Sequence, residues 1–236
     1  MLENCSLQEK IEVLSEIYSA SLECSPVVLG FTGPPGAGKS TLISEVAKRL
    51  IDQSIVDQIV VFAVDPSSHL SGGAILGDRL RFIEQEKVFF RSFATRGGYG
   101  GISWVVADSV RIAGLEGFRH VFIETTGVGQ NEVDIRKVAD YVISVLTPAS
   151  GDSVQGIKAG LLEISDLIVI NKSDQPGSDL FYKDIQLALQ ISGKKNVKII
   201  KASAITCDGI VDVVSSIRGV LNDISDKPKK IHDFDI

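Results

Sequence analysis

The chain has 236 residues, 44% of them hydrophobic and 23% charged, which is enough apolar content to bury one sizeable core and excludes a largely disordered polymer. Its 24 basic and 30 acidic residues leave a net charge of −6, with no local basic patch, so nucleic acid is not an expected partner. By length the chain makes about one domain, with room for an arm.

Residues 6–24 read as an amphipathic helix, opened by a capping box over Ser6-Leu7-Gln8-Glu9 and carried by Leu7, Ile11, Leu14, Ile17 and Tyr18 at helical spacing. Such a helix, within an N-terminal unit 1–25, is expected to pack on the edge of the domain that follows. From Pro26 onward short β-branched apolar runs alternate with helical stretches. Strands are predicted at Val27–Thr32, Ile59–Asp65, Val88–Arg91, His120–Glu124, Tyr141–Leu146, Leu167–Asn171 and Val197–Ala202. Helices are predicted at 39–52, 78–86, 102–116, 132–139, 154–165, 179–192 and 209–223. Most of the strands are continuously apolar, as needed when helices cover both faces of a parallel sheet. The order implies an α/β fold: a three-layer, doubly wound, mostly parallel sheet of about seven strands in the manner of P-loop NTPases, spanning 26–224, with a flexible tail over 225–236.

The three cysteines, Cys5, Cys24 and Cys207, share no CxxC spacing, which speaks against a disulfide framework or zinc knuckle and for a reducing, cytoplasmic compartment. Glu3 and Glu9 precede any long apolar stretch, so no secretory leader is expected. The longest uncharged apolar run, Tyr141–Gly151, contains Pro148 and is about half a membrane span, so no membrane association is expected either.

The chemistry is written in the turns that follow strands, where open α/β sheets bind ligands. Gly33-Pro34-Pro35-Gly36-Ala37-Gly38-Lys39-Ser40 fits GxxxxGK[ST], follows an apolar strand and opens a helix, the context a P-loop requires; Thr41 continues it. Backbone N–H groups would curl around phosphates, Lys39 would lie between the β- and γ-phosphates, and the Ser40 hydroxyl would bind Mg²⁺. Glu124 ends an apolar strand and could hold that ion, with the Gly127 amide three residues on to sense the γ-phosphate. Asp65 and Asp78 compete for the metal or its waters, although Asp65 before Pro66 also reads as a turn residue and Asp78 as a helix N-cap. Asn171-Lys172-Ser173-Asp174 closes a buried-type strand as NKxD. The Asp174 carboxylate can accept from both N1–H and the exocyclic amine of guanine, whereas adenine would strand it at a cost on the order of 2–5 kcal/mol. Asn171 would brace the loop and the Lys172 stem would lie along the base. Ala202-Ser203-Ala204 closes the next strand and can offer a backbone N–H to guanine O6, so Ser203, Ala204 and the following Ile205 are expected at the nucleotide.

Taken together these residues resemble the MeaB/ArgK/MMAA family of methylmalonyl-CoA mutase-associated GTPases, of the SIMIBI class. The resemblance runs through Val64-Asp65-Pro66-Ser67-Ser68, Ser71-Gly72-Gly73-Ala74-Ile75-Leu76-Gly77-Asp78, Glu124-Thr125-Thr126-Gly127-Val128-Gly129-Gln130-Asn131-Glu132, the GDxxQGIKxG-like stretch Gly151–Gly160, and NKxD, over about residues 26–210. It implies a Mg²⁺-dependent GTPase, converting GTP to GDP plus phosphate, that serves as chaperone and gatekeeper of an adenosylcobalamin-dependent acyl-CoA mutase. It also implies that Lys39 and Ser40 serve phosphate and metal, that Asp65, Asp78 and Glu124 are metal-site and switch carboxylates, and that Asn171, Lys172 and Asp174 recognise the base. The family's usual C-terminal dimerisation arm is not recognised here, which leaves the homodimer open, and no directly bound cobalamin is expected. The Thr95–Gly101 loop, with Tyr99, departs from the family pattern.

No residue stands out as a water-orienting glutamine, Gln130 included, and Arg79 or Arg96 are the candidates for an arginine finger in cis, so slow intrinsic hydrolysis is expected. The glycine-rich segment 66–101 is the expected switch. The competing readings are a nucleotide-gated scaffold with little hydrolysis, a nickel metallochaperone of the same class and an ATP-dependent small-molecule kinase.

Overall fold

The structure is a computed structural model that describes residues 12, 15, 18, 19, 25–65, 85–94, 104–125, 131–148, 159–194 and 196–225. Its strands are β1 (Val27–Thr32), β2 (Ile59–Asp65), β3 (Val88–Ala94), β4 (His120–Thr125), β5 (Tyr141–Leu146), β6 (Leu167–Ile170) and β7 (Lys198–Lys201). They form one seven-stranded sheet in the order β3-β2-β4-β1-β5-β6-β7, and every pairing is parallel. The described helices are α1 (Lys39–Asp52), α2 (Trp104–Leu115), α3 (Asn131–Asp134), α4 (Ala159–Ile164), α5 (Ser178–Ile191) and α6 (Ile210–Ser225).

The two faces of β1 show how the layers are made. Val27, Leu29 and Phe31 point into a core shared with Leu42, Ile43 and Val46 of α1 and with Val213, Val214 and Ile217 of α6. Val28 points the other way, into a cluster with Val106 and Val110 of α2 and with Ile135 and Val138 after α3. A third cluster joins Leu146, Ile168 and Ile170 to Leu161 of α4 and to Ile185 and Leu189 of α5. Alternate residues of each central strand thus feed opposite apolar layers, and the strand must be apolar throughout. This is the three-layer, doubly wound fold expected from the sequence.

Two aspartates fix register at the sheet's lower edge. Asp140 accepts from the Val28 N–H at 2.8 Å through Oδ2 while its own N–H donates to Val28 O at 2.9 Å. Asp166 repeats the device one strand on, accepting from the Val142 N–H at 2.8 Å and donating to Val142 O at 2.9 Å. Each closes a parallel ladder where backbone groups would otherwise be left over.

Several boundaries differ from the sequence reading. β3 runs three residues further, to Ala94, because β2 pairs with it along its whole length, from Ile59↔Val88 to Asp65↔Ala94. The helix expected at 132–139 is one α-turn at Asn131–Asp134 followed by a 3₁₀ turn at Ile135–Lys137. The tighter turn lets the buried Ile135 press onto β1 at Gly30, where an added Cβ would lie 2.6 Å from Ile135 Cδ1. Gln85 and Glu86, placed in a helix at 78–86, are not helical, and the rest of that helix lies outside the described residues, as do the tail from 226 and most of the N-terminal segment. Residues 12, 15, 18 and 19 of the 6–24 helix are helical. Tyr18 Oη donates to Asp108 Oδ1 of α2 at 2.9 Å, and the Arg111 guanidinium lies over its ring at 4.9 Å while donating to Tyr18 O at 3.1 Å. Burial pushes the Asp108 carboxyl up, and the Tyr18 hydrogen bond pulls against that rise.

Candidate nucleotide-binding site

The loop between β1 and α1 is built from residues that only glycine can replace at two points. Gly33 sits at φ 138°, and a Cβ there would fall 2.1 Å from Val145 O on β5; Gly38, at φ 83°, would drive one to 2.5 Å from Asn171 Nδ2. Gly38 caps α1 without a side chain, and the first turn of α1 carries no acidic residue. The leading N–H groups of that helix, with their partial positive charge, therefore meet no carboxylate of their own turn. Ala37 is buried and donates its N–H to Pro34 O at 3.3 Å, while Pro35 and Gly36 stand exposed at the rim. Lys39 is only 5% exposed, and its Nζ donates to Gly33 O at 2.9 Å and Pro34 O at 3.0 Å. An ammonium buried among carbonyls at the start of a helix with no side-chain cap is a setting suited to a polyanion.

Ser40 follows Lys39 into the half-buried first turn, beside Thr41. Its hydroxyl donates to Glu124 Oε1 at 2.7 Å, across the boundary between α1 and β4. Glu124 is 3% exposed, one residue from the upper end of β4. The backbone of Asp65 ends β2, and Val64 pairs with Thr125 on β4, so Asp65 closes the strand next to that of Glu124 at the same end of the sheet. Asp78, Gly127, Gln130, Arg79, Arg96 and Tyr99 lie outside the described residues. Of the expected switch segment 66–101, residues 85–94 are described and belong to β3 and its approach.

The NKxD motif comes in from β6. Asn171 is 2% exposed and acts as a latch: Nδ2 donates to Ala37 O at 2.8 Å and Oδ1 accepts from the Ala204 N–H at 3.1 Å. One amide thereby joins the phosphate loop, the NKxD turn and the loop after β7. Lys172 takes a left-handed conformation, φ 57°, and its Nζ donates to Gly36 O at 2.7 Å, so its stem crosses toward the phosphate loop. The Ser173 N–H donates to Ala202 O at 3.0 Å, and Asp174 stands exposed in the turn that leads to α5. Ser203 is buried, Ala204 half-buried and Ile205 81% exposed. The Ala204 N–H, read from the sequence as a donor for guanine O6, is engaged by Asn171 here. Beside this loop, the Lys201 ammonium holds the Asp179 carboxyl below its ordinary range through a hydrogen bond of 2.6 Å, tying the start of α5 to the end of β7.

Two residues at this site were not found by sequence reasoning. Glu45, on α1, accepts from Arg49 Nε at 2.7 Å and from the Cys207 thiol at 3.6 Å. The turn signal Asp208-Gly209 was available for Cys207's loop, but nothing in the sequence pairs Cys207 with Glu45.

A family model described as methylmalonyl Co-A mutase-associated GTPase MeaB matches residues 3–230. A Pyrococcus horikoshii protein, named provisionally as a GTPase, is 44% identical over 202 residues, covering 84% of this chain and 62% of the relative. A fused isobutyryl-CoA mutase of Geobacillus kaustophilus is 37% identical over 174 residues, covering 73% of this chain and 16% of that protein. The crystal structure of a LAO/AO transport system kinase superposes with a TM-score of 0.62 at 26% identity, over 92% of this chain and 66% of that one. The chain thus spans less than two thirds of the curated relative's length.

Proposed function

The chain belongs to the MeaB family of methylmalonyl-CoA mutase-associated GTPases, and from that membership and the geometry of the three loops we propose that it is a Mg²⁺-dependent GTPase that gates an adenosylcobalamin-dependent acyl-CoA mutase. The observation that carries the nucleotide reading is the Asn171 latch. It fixes a base-recognition turn and a phosphate-binding loop in one rigid frame, as a ligand with a purine at one end and phosphates at the other requires. Among the described residues no helix is long and apolar enough to cross a membrane.

Lys39 would exchange its carbonyl acceptors, Gly33 O and Pro34 O, for phosphate oxygens and offset the charge that develops there. The N–H groups of the loop and of the first turn of α1 would hold the β-phosphate. The donors at Ser40 and Glu124 are a hydroxyl and a carboxylate in contact, hard oxygens of the kind Mg²⁺ takes while keeping several waters. Those two residues, with Asp65 and Asp78 acting through water, would hold the ion, which when bound supplies Lewis-acid neutralisation at the phosphate oxygens. Asp174 would select guanine and Lys172 would lie along its face. Ser203, Ala204 and Ile205 would border the base, the Ala204 N–H being shared between Asn171 and O6. The Gly127 amide is assigned to the γ-phosphate.

None of these residues is a strong base for the attacking water, so turnover by the chain alone is expected to be slow and to rise with the partner. The mutase partner is supported by the family's own description and by the relative in which a homologous segment lies within a fused isobutyryl-CoA mutase. The test has two parts. Calorimetry with GDP and ADP should give tight, Mg²⁺-assisted binding of GDP alone; equal affinity for both would refute the base reading. Pull-down with the protein held by a non-hydrolysable GTP analogue should recover an acyl-CoA mutase subunit. Recovery that does not depend on the nucleotide would refute gating, and partner binding without any turnover would leave a scaffold.

A further inference from the structure

We propose that Glu45 is a positioning residue for guanine: through the Cys207 thiol it holds the loop after β7 at the place where its backbone meets the 6-oxo edge of the base. The inference rests on the guanine-nucleotide reading above. The loop over residues 202–209 is closed on itself by the Ser203 N–H to Asp208 O at 2.9 Å, the Thr206 N–H to Ser203 Oγ at 3.2 Å and the Thr206 hydroxyl to Asp208 Oδ2 at 2.7 Å. These bonds give the loop a shape but do not fix where it sits. On one flank it is fixed by Asn171, which accepts the Ala204 N–H. On the other flank the Cys207 thiol, beside the Arg49 guanidinium, donates to Glu45 Oε1 at 3.6 Å, across 162 residues of sequence.

Three features give that contact a positional meaning. Glu45 sits on α1, whose first turn is the phosphate site, so the tether ties base loop and phosphate helix directly. Its carboxylate is oriented from below by Arg49, the i+4 neighbour, whose Nε lies 2.7 Å from the oxygen that also accepts the thiol. Cys207 itself adopts φ 65°, a left-handed conformation that a non-glycine residue keeps only when its surroundings hold it. A thiol is a weak donor, but a carboxylate acceptor strengthens the bond, and both groups are only partly exposed.

The experiment compares GDP with 2-aminopurine riboside diphosphate, which lacks the 6-oxo group and with it the N1–H, using the full chain. The wild type should prefer GDP clearly; if it does not, the guanine reading falls and with it this inference. Given that preference, Glu45→Ala and Cys207→Ala should each weaken GDP three- to ten-fold while changing the 2-aminopurine ligand by less than two-fold. The double variant should be no worse than the poorer single one. Glu45→Gln, which keeps an oxygen acceptor for the thiol, should restore most of the GDP affinity, and Arg49→Ala, which removes the group that orients the carboxylate, should weaken GDP selectively but by less than Glu45→Ala. Parallel loss of both ligands, or no loss of either, would overturn the proposal.

Discussion

Replacing Asn171 by alanine tests the latch apart from any nucleotide. The side chain is 2% exposed and makes two bonds that hold separate loops, Nδ2 to Ala37 O at 2.8 Å and Oδ1 from the Ala204 N–H at 3.1 Å. Each bond contributes roughly 0.5–1.5 kcal/mol net, and leaving a buried partner unsatisfied adds to that, so the loss should be about 2–4 kcal/mol. With a urea slope of about 2–3 kcal/mol per molar for a domain of this size, the unfolding midpoint of the nucleotide-free protein should fall by about 1 M at unchanged slope. Asn171→Asp should be at least as damaging at neutral pH, because it sets a carboxylate against Ala37 O, and it should recover in part as the pH is lowered through that carboxylate's titration. An Asn171→Ala protein with the wild-type midpoint but no GDP binding would refute the latch and assign the residue to the base alone.

Three further outcomes are expected. Lys39→Ala should reduce GTP turnover at least about 100-fold, since one buried charge is removed from the developing phosphate charge; single-turnover kinetics with turnover within a few-fold of wild type would contradict its role. Asp174→Asn should weaken GDP by roughly 30-fold or more and bring xanthosine diphosphate up to comparable affinity, because the amide offers a donor to the 2-oxo group; competition binding reads both. Tyr18→Phe should raise the Asp108 carboxyl further, since burial pushes it above its ordinary 3.8 and the phenol's hydrogen bond pulls it down; carboxyl NMR titration reads the shift. The sign for stability follows: a carboxyl raised in the native state binds its proton more tightly there. Its contribution is greatest below 3.8, declines as pH rises through the elevated native value, and is flat above it, more steeply in Tyr18→Phe than in the parent.

Much of the scaffold was legible because local and global signals agree. β1, β2 and β5 have the boundaries read from sequence: each is a largely apolar run, interrupted in β5 by the buried Ser144, that is ended by glycine, proline or a polar residue and covered on both faces. The start of α1 was legible for a different reason, since the P-loop pattern itself dictates where a helix must begin. β3 was read short because Arg91 and Ser92 break its apolar run; the pairing with β2 overrides that local signal. The helix after β4 was read long because Ile135 and Val138 continue a helical spacing, whereas the contact that tightens it is a bare Gly30 on another strand. At the site, the phosphate and base motifs were legible as strings. The Glu45–Cys207 contact was not, because a hydrogen bond between residues 162 apart leaves no periodicity behind.

The strand order explains why strings so far apart in sequence build one site. β1 lies between β4 and β5, so the chain leaves it toward one side of the sheet through α1, while the connections after β4 run to the other side through helices on the opposite face. The crest of β1 is therefore the point where helices part and loops can open a crevice. Neighbouring strands are about 4.8 Å apart, so β6, two strands from β1, places the NKxD turn about 10 Å to one side of the phosphate loop, and β4 places Glu124 about 5 Å to the other. The NKxD turn, the loop after β1, Glu124 and the end of β2 thus stand in a row along the crest, in an order that differs from their order in the sequence. A row of that kind accounts for the two bridging side chains. Asn171 and Lys172 must span from β6 to the loop above β1, and only an amide that both donates and accepts, and a long flexible ammonium, can make those two connections at the distances observed.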